Sequence, residues 1–303
     1  MGATGMKARF LAAALPLAAP QAMLAQEAGA CEIAVAADPD SRKALAAAVF
    51  SKADEARIDD LIACLGDPDP VRRDEGAFAL WSEGLRGKLL SPEPMRHAMQ
   101  RLSAPLAAPD DAVGFRKPVA ALALSEVARA DRIAAFLTDA ECHALAQLSA
   151  TYMRGIADHS GFVAGEGWRH GVAHGADLML QLALNPRLAR ADVDPMLAAL
   201  GVQIAPVDHH HYHQGEAGRL GRPILFLAKR TDIDDAARAA WFRTLHPDAA
   251  LRWQAPDGSD EKLAAAHNST AFAQAIYVAA SESQDPQVRR LAPLALGLIE
   301  ALP

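Results

Sequence analysis

The chain has 303 residues, carries a formal net charge of −7, and is 51% hydrophobic but only 5% aromatic. That length leaves room for one large domain or two ordinary ones, so core size sets no limit. The dominance of Ala and Leu favours helix over strand, and no window alternates Val, Ile, Thr and aromatic residues as a half-buried strand would. The acidic balance, with arginines scattered rather than gathered in a block, gives no reason to expect a polyanion, so nucleic acid is set aside as a partner.

Residues 1–30 read as a secretory signal, with Lys7 and Arg9 before the apolar stretch from Phe10 to Ala19 and small residues offering cleavage after Ala25 or Ala30. The apolar run is too short to cross a bilayer and is broken by Pro16 and Pro20. No later stretch is longer, so the expectation is a secreted or periplasmic protein with no transmembrane segment, residues 31–303 forming a single helical domain. Ala28-Gly29-Ala30-Cys31 is a degraded lipoprotein box that would anchor a lipid at Cys31. The competing use of Cys31 is a disulfide with Cys64 in an oxidising compartment. Cys142 is then left over as a small, half-buried apolar residue.

Helix then follows helix. Ser41–Phe50 and Asp54–Leu65 form a first pair, stopped by Gly66-Asp67-Pro68-Asp69-Pro70. Val71–Leu89 carries Phe78, Trp81 and Leu85 on one face. Ser91-Pro92 opens the next helix, Phe115–Phe136 follows, and Thr138-Asp139-Ala140-Glu141 reads as a capping box for Cys142–Ile156. Beyond a glycine-bearing loop at Asp158–Glu166 comes the stretch from Gly167 to Pro186. Helices are then expected around Val193–Leu200, Gln214–Lys229, Asp234–Leu245 and Lys262–Ser281, and from Asp285-Pro286 to Leu302. His246–Asp260 is the longest irregular segment. Paired antiparallel helices without strands, and the likeness of Asp69-Pro70-Val71-Arg72-Arg73 to Asp285-Pro286-Gln287-Val288-Arg289-Arg290, point to an all-α, HEAT-like α-α superhelix. A compact bundle is the alternative.

Chemistry concentrates in Gly167–Pro186. At about 100° per residue, His170, His174, Asp177 and Gln181 fall in one stripe of a helix whose remaining circumference is apolar. Gly171 and Gly175 lie on the apolar side, where another backbone could come close. A His-x-x-x-His pair can offer two imidazoles to a zinc-like ion, with Asp177 one turn on. The competing reading is a pair of semi-buried histidines locking helices together. Further candidate ligands are Asp158, Glu166 and the tract Asp208-His209-His210-His211-Tyr212-His213, followed by Glu216 and Arg219; His213, Glu216 and Arg219 stand out because a carboxylate and an arginine three apart could pair along a helix face. Glu126 lies on an apolar face, where a carboxylate needs a partner; Arg129 is the expected one, unless the helix faces the stripe and Glu126 orients an imidazole. No nucleophile motif appears, and Asn268-Ser269-Thr270 is discounted as a glycan acceptor.

Three segments resemble the bacterial domain-of-unknown-function family 2785: Pro70-Val71-Arg72-Arg73-Asp74-Glu75; Phe115-Arg116 with Leu124-Ser125-Glu126-Val127-Ala128-Arg129-Ala130-Asp131; and Gly161-Phe162-Val163 leading to Gly167-Trp168-Arg169-His170-Gly171-Val172-Ala173-His174-Gly175-Ala176-Asp177. The resemblance covers Leu61 to Leu184 well and the C-terminal third loosely. Where the family tends to show Asp-x-Arg-Gly-Tyr-Val, this chain has Asp158-His159-Ser160-Gly161-Phe162-Val163. The resemblance implies an armadillo-type helical repeat and brings no activity. The leading expectation is capture of a small-molecule ligand or partner protein in a concave groove lined by His170, His174 and Asp177, with Glu126, His213, Glu216 and Arg219 as candidate neighbours. The rivals are a metal-dependent hydrolase built on the same seam and a purely structural role.

Overall fold

A computed structural model describes residues 31, 33–51, 54–110, 114–206, 208–245 and 259–302. The signal read into residues 1–30 and most of the irregular segment after Leu245 lie outside the described residues. Cys31–Pro303 forms one compact unit.

Short polar caps fix where the helices start. Asp38 accepts from the amides of Asp40 and Ser41 at the head of α1 (Pro39–Phe50), and Asp54 accepts from Arg57 N ahead of α2 (Glu55–Cys64). The next helix opens as a π-helical segment, Val71–Phe78, and tightens into α3 (Ala79–Arg86). Then come α4 (Pro92–Ala107), α5 (Arg116–Ile133) and α6 (Asp139–Gly155), the last opened by a full Thr138–Glu141 capping box. After a two-stranded hairpin the chain continues through α7 (Gly171–Ala183), α8 (Arg190–Ile204), α9 (Glu216–Leu227), α10 (Asp235–Thr244), α11 (Asp260–Glu282), α12 (Pro286–Arg289) and α13 (Leu291–Ala301). The two Asp-Pro segments that resemble each other are capped alike: Asp69 accepts from Val71 N and Asp285 from Gln287 N, each at 2.9 Å.

Successive odd-numbered helices pack on one another from α1 to α13, and α2, α4, α6 and α8 do the same in a second layer. The layers close on each other where α4 meets α5 and α6 meets α7. Polar ties recur at a steady spacing along this stack. Trp81 Nε1 donates to Ala123 O at 3.0 Å, 42 residues on. Arg101 reaches back 42 residues to Asp59, Arg230 back 42 to Leu188 O, and Trp241 back 44 to Leu197 O. Trp81 is fully buried and anchors the first half of the core with Leu80, Leu102 and Leu124.

The expected all-helical plan holds apart from one small sheet. Inside the glycine-bearing loop, β1 (Phe162–Val163) and β2 (Gly167–Trp168) pair antiparallel, Phe162 opposite Trp168. The helix expected from Gly167 therefore starts at Gly171, because Trp168 belongs to a strand. Glu126 is buried, but its partner is Arg86 of α3 rather than Arg129: Arg86 Nε donates to Glu126 Oε2 at 3.1 Å, and Nη2 holds the other oxygen. Glu126 thus faces α3, away from the histidines. Among the described residues no helix is long and apolar enough to cross a membrane.

Cys31 and Cys64 form a disulfide, which occupies the sulfur that a lipid anchor would use. Cys142 is buried beside Asp131, and burial, with that carboxylate, pushes its thiol up to about 12. Replacing Cys31 and Cys64 together by Ser should lower unfolding stability by about 3–4 kcal/mol, the loop-closure entropy of their 33-residue separation. Urea titration of the oxidised parent and the double variant measures the difference; equal midpoints would mean that the crosslink restricts nothing in the unfolded chain.

Candidate functional site

The site is assembled around the hairpin, and the hairpin is held by a buried arginine. Arg73, in the π-helical segment, has no exposed surface. Its Nε and Nη2 bind the two carboxylate oxygens of Asp74 at 2.9 and 3.0 Å, and Nη1 donates to Asp67 O and Pro68 O. Nη2 also reaches Glu166 O in the hairpin turn at 2.7 Å, while the guanidinium lies 3.8 Å over the Phe115 ring. Arg169 stacks on the same ring at 5.0 Å and binds Asp158 and Glu166. Gly167 makes this approach feasible: a Cβ there would sit 2.8 Å from Arg73 Nη2 and 2.9 Å from Pro70 Cβ, and its φ of +85° suits glycine.

A second fastening ties the hairpin to the head of α9. Gln214 Oε1 accepts from Phe162 N at 2.6 Å, and the Gln214 amide donates to Glu216 Oε2 at 2.9 Å. At Gly161 a Cβ would lie 1.8 Å from that Gln214 oxygen, so any side chain there would push the Gln214 amide off Phe162 N. The ladder continues past the strands, with Arg169 N donating to Gly161 O and His170 N to Ser160 O. His170 also accepts from His174 N through its carbonyl. It is thus the last rung of the hairpin and the first acceptor of α7, and it makes that corner in the left-handed region, φ 50° and ψ 39°. A non-glycine residue there is strained and held by its surroundings.

The His170 ring is buried between neighbours. It stacks on Trp168 with centroids 4.6 Å apart and meets His174 edge-on at 5.8 Å. Its Nε2 lies 3.3 Å from Glu216 Oε1, yet both atoms are buried and neither completes a hydrogen bond within the protein. Burial pushes the Glu216 carboxyl up, but His170 and backbone amides outweigh it and hold the group below its usual range. His174 Nδ1 faces Pro118 O at 3.2 Å; a carbonyl can only accept, so Nδ1 carries the proton and Nε2 the lone pair. Burial, reinforced by His170 and Arg219, drives the His174 pKa down to about 3, so the ring is neutral at ordinary pH. Asp177 is raised by burial and opposed by Arg219, whose Nε binds Oδ1 at 2.8 Å while Nη2 holds Oδ2. Above this cluster Phe162 and Trp168 meet edge-to-face at 5.2 Å and stay 49% and 41% exposed, which leaves an aromatic pair on the surface.

The histidine tract lies alongside. Gln203 Nε2 donates to Met153 O and Ile156 O, which aims its Oε1 at His159 Nε2, 3.0 Å away. The other His159 nitrogen sits 2.5 Å from Asp208 Oδ2. Asn268 pins the tract to α11, accepting from Tyr212 N and donating to His210 O. It is fully buried, which rules it out as a glycan acceptor. Like His170 Nε2 and Glu216 Oε1, His210 Nε2 and the Tyr212 hydroxyl are buried without a hydrogen bond of good geometry. Such groups are rare and expensive unless water or a ligand meets them.

Of the expected seam residues and neighbours, His170, His174, Asp177, Glu216 and Arg219 come together, by contacts the helical wheel does not draw. His170 lies off the helix and joins His174 through the αL corner. Glu216 and Arg219 do not pair with each other: the first meets His170 and the second Asp177, because both point across to α7. His213 is exposed and turns its Nδ1 to His211 O at 2.8 Å, outside this cluster. Gln181 is taken by Arg132, Asp158 and Glu166 by Arg169. Beside Gly171 the Asp158 carbonyl does come within 3.7 Å, behind the Tyr152 hydroxyl at 3.3 Å; beside Gly175 the space is met by the Tyr152 and Met153 side chains. Among the described residues no group of three or more His, Cys, Asp or Glu is arranged to hold a metal ion. Arg73, Phe115 and Gln214 escape the helical-pattern reading, since their roles lie in contacts to backbone and rings that leave no periodic trace.

The geometry joins the three segments singled out in sequence, with Arg73 and Asp74 from the first, Phe115 from the second and Glu166 to His170 from or beside the third. Residues 102–278 match the model of a family described as a protein of unknown function, DUF2785. The chain belongs to this family. The DUF2785 match takes in Phe115, the hairpin, α7, α9 and the histidine tract, and begins after Arg73. No curated protein and no solved structure matches the chain.

Two outcomes follow from the site. Arg73→Met leaves Asp74 and several carbonyls without their donor and should cost on the order of 3 kcal/mol in chemical unfolding; a loss within a few tenths would mean that the clamp is dispensable. His174, held near 3 in the fold, titrates near its ordinary value of 6.5 once unfolded. The unfolded chain therefore binds the extra proton between those limits, so the contribution is whole above pH 6.5 and falls about tenfold in equilibrium constant per pH unit below it. Unfolding midpoints of the parent and His174→Gln across this range should diverge in slope by close to one proton; parallel curves would refute the assignment.

Proposed function

We propose that this DUF2785 protein is a secreted, HEAT-like helical-repeat binding protein that captures a ligand or partner at the seam of His170, His174, Asp177, Glu216 and Arg219. The observation that carries the reading is the buried contact of His170 Nε2 with Glu216 Oε1, 3.3 Å apart and short of good hydrogen-bond geometry, beneath an exposed aromatic pair. A ligand with an apolar face for Phe162 and Trp168 and a hydrogen-bonding edge for His170 and Glu216 would satisfy both features. Repeat architecture is supported by the two layers of alternate helices and by ties recurring about every 42 residues, within the span of HEAT and armadillo repeats. Such repeats work by presenting surface. Secretion is supported by the Cys31–Cys64 disulfide, which persists in oxidising compartments.

The test is a thermal-shift screen of the mature protein against oligosaccharides and short peptides, with affinities of hits then measured for Trp168→Ala, His170→Ala and Glu216→Gln. Loss of at least about tenfold in affinity is expected at each, the scale of one buried hydrogen bond or aromatic contact. Hits that bind all three variants as tightly as the parent would overturn the site. Elemental analysis runs alongside: stoichiometric zinc in the parent, absent from His170→Ala and His174→Ala, would move the reading to a metal-dependent hydrolase.

A further inference from the structure

On another part of the molecule, α8, α9, α10 and α13 enclose a half-open cavity of 510 Å³. That falls inside the roughly 300–1,000 Å³ range of small-molecule sites. Its wall is mostly apolar, built from Leu197, Val202, Ile224, Trp241, Phe242 and Leu245 among others. The indole N–H of Trp241 is spent on Leu197 O at 2.9 Å, so the ring offers the cavity no donor. None of the seam residues lines it.

Three charged residues reach the cavity: Arg190, Asp194 and Arg238. The first two pair with each other, i to i+4, at side-chain exposures of 39% and 51%, and so belong to the rim. Arg238 differs. Its side chain is 7% exposed, with Nη1 on Asp235 Oδ1 at 2.7 Å and Nη2 shared by Ala228 O and Arg230 O. Asp235, its only carboxylate partner among the described residues, is itself 71% exposed and shared with Arg290. Arg238 Nε is buried and has no hydrogen-bond partner. An apolar chamber with one buried guanidinium, incompletely satisfied, is complementary to a molecule with an apolar body and an anionic end.

We propose that this cavity binds an amphipathic carboxylate of the medium-chain fatty-acid class, its hydrocarbon among the apolar side chains and its carboxylate on Arg238. The apolar tail would supply most of the binding and the buried guanidinium the choice of head group.

Calorimetric titration of the mature protein with laurate, dodecanol and dodecylamine, all kept below micelle formation, tests the proposal. The three share one tail and differ in head-group charge. Laurate is expected to bind at least about tenfold more tightly than either, the scale of one charge-assisted hydrogen bond. Arg238 also holds backbone carbonyls, so Arg238→Met could lose the fold. The blocking variant is therefore Ala198→Trp, at an exposed residue of the cavity wall where a larger side chain leaves the core alone. It should keep the parent's melting temperature and lose laurate binding by at least about tenfold. Three results would each overturn the proposal: no laurate binding, equal binding of laurate and dodecylamine, or unchanged laurate binding in Ala198→Trp with its fold intact.

Discussion

The arrangement of the seam depends on one guanidinium that water never reaches. Arg73 ties the loop before the π-helical segment, the Phe115 ring and the turn of the hairpin into one unit, and it does so mainly through backbone carbonyls. A buried charge of this kind holds only while every donor is occupied, because an unpaired guanidinium in a core is costly. The requirement is stringent enough to dictate neighbours. Gly167 must lack a side chain, Asp74 must lie beside the guanidinium, and the hairpin must end where Glu166 O can be reached. With the hairpin fixed there and fastened again by Gln214, the corner at His170 has one place to go.

The two ends of the site use burial differently. Asp177 and Arg219 satisfy each other in a bidentate pair, a closed arrangement with little left to offer. His170 and Glu216 stand at close range without completing a bond, and His174 keeps a lone pair free of the proton it donates to Pro118. Folding has therefore left hydrogen-bonding capacity in reserve at one end of the seam and used it up at the other. The exposed Phe162 and Trp168 lie at the reserved end. That asymmetry favours the hairpin side as the face of the proposed binding site.

How much of this was legible in the sequence depended on whether the signal was local. Thr138 and Glu141 announce a helix start because a capping box closes within three residues, and the Asp-Pro turns do the same. Cys31 and Cys64 were the natural pair once the compartment was read as oxidising. The hairpin was not legible, since strands of two residues are too short to show a period. His170 looked helical because its neighbours at four-residue spacing are, while its amide in fact answers to Ser160. Glu126 had an arginine three residues away and took another 40 residues back, because the next helix in the layer offered a better-placed partner. Periodicity reports which face of a helix is buried and is silent on what lies opposite.

The π-helical winding of Val71–Phe78 gives the chain a particular phase. Each residue added to or removed from a helix turns everything beyond it by about 100°. A segment that accommodates surplus chain before the helix tightens at Ala79 lets two schedules coexist: Arg73 can point at the hairpin while Trp81 and Arg86, about two and three turns later, keep their appointments with Ala123 and Glu126 on α5. Shortening that segment by a single residue would preserve every side chain's chemistry and still set the clamp and the core out of step.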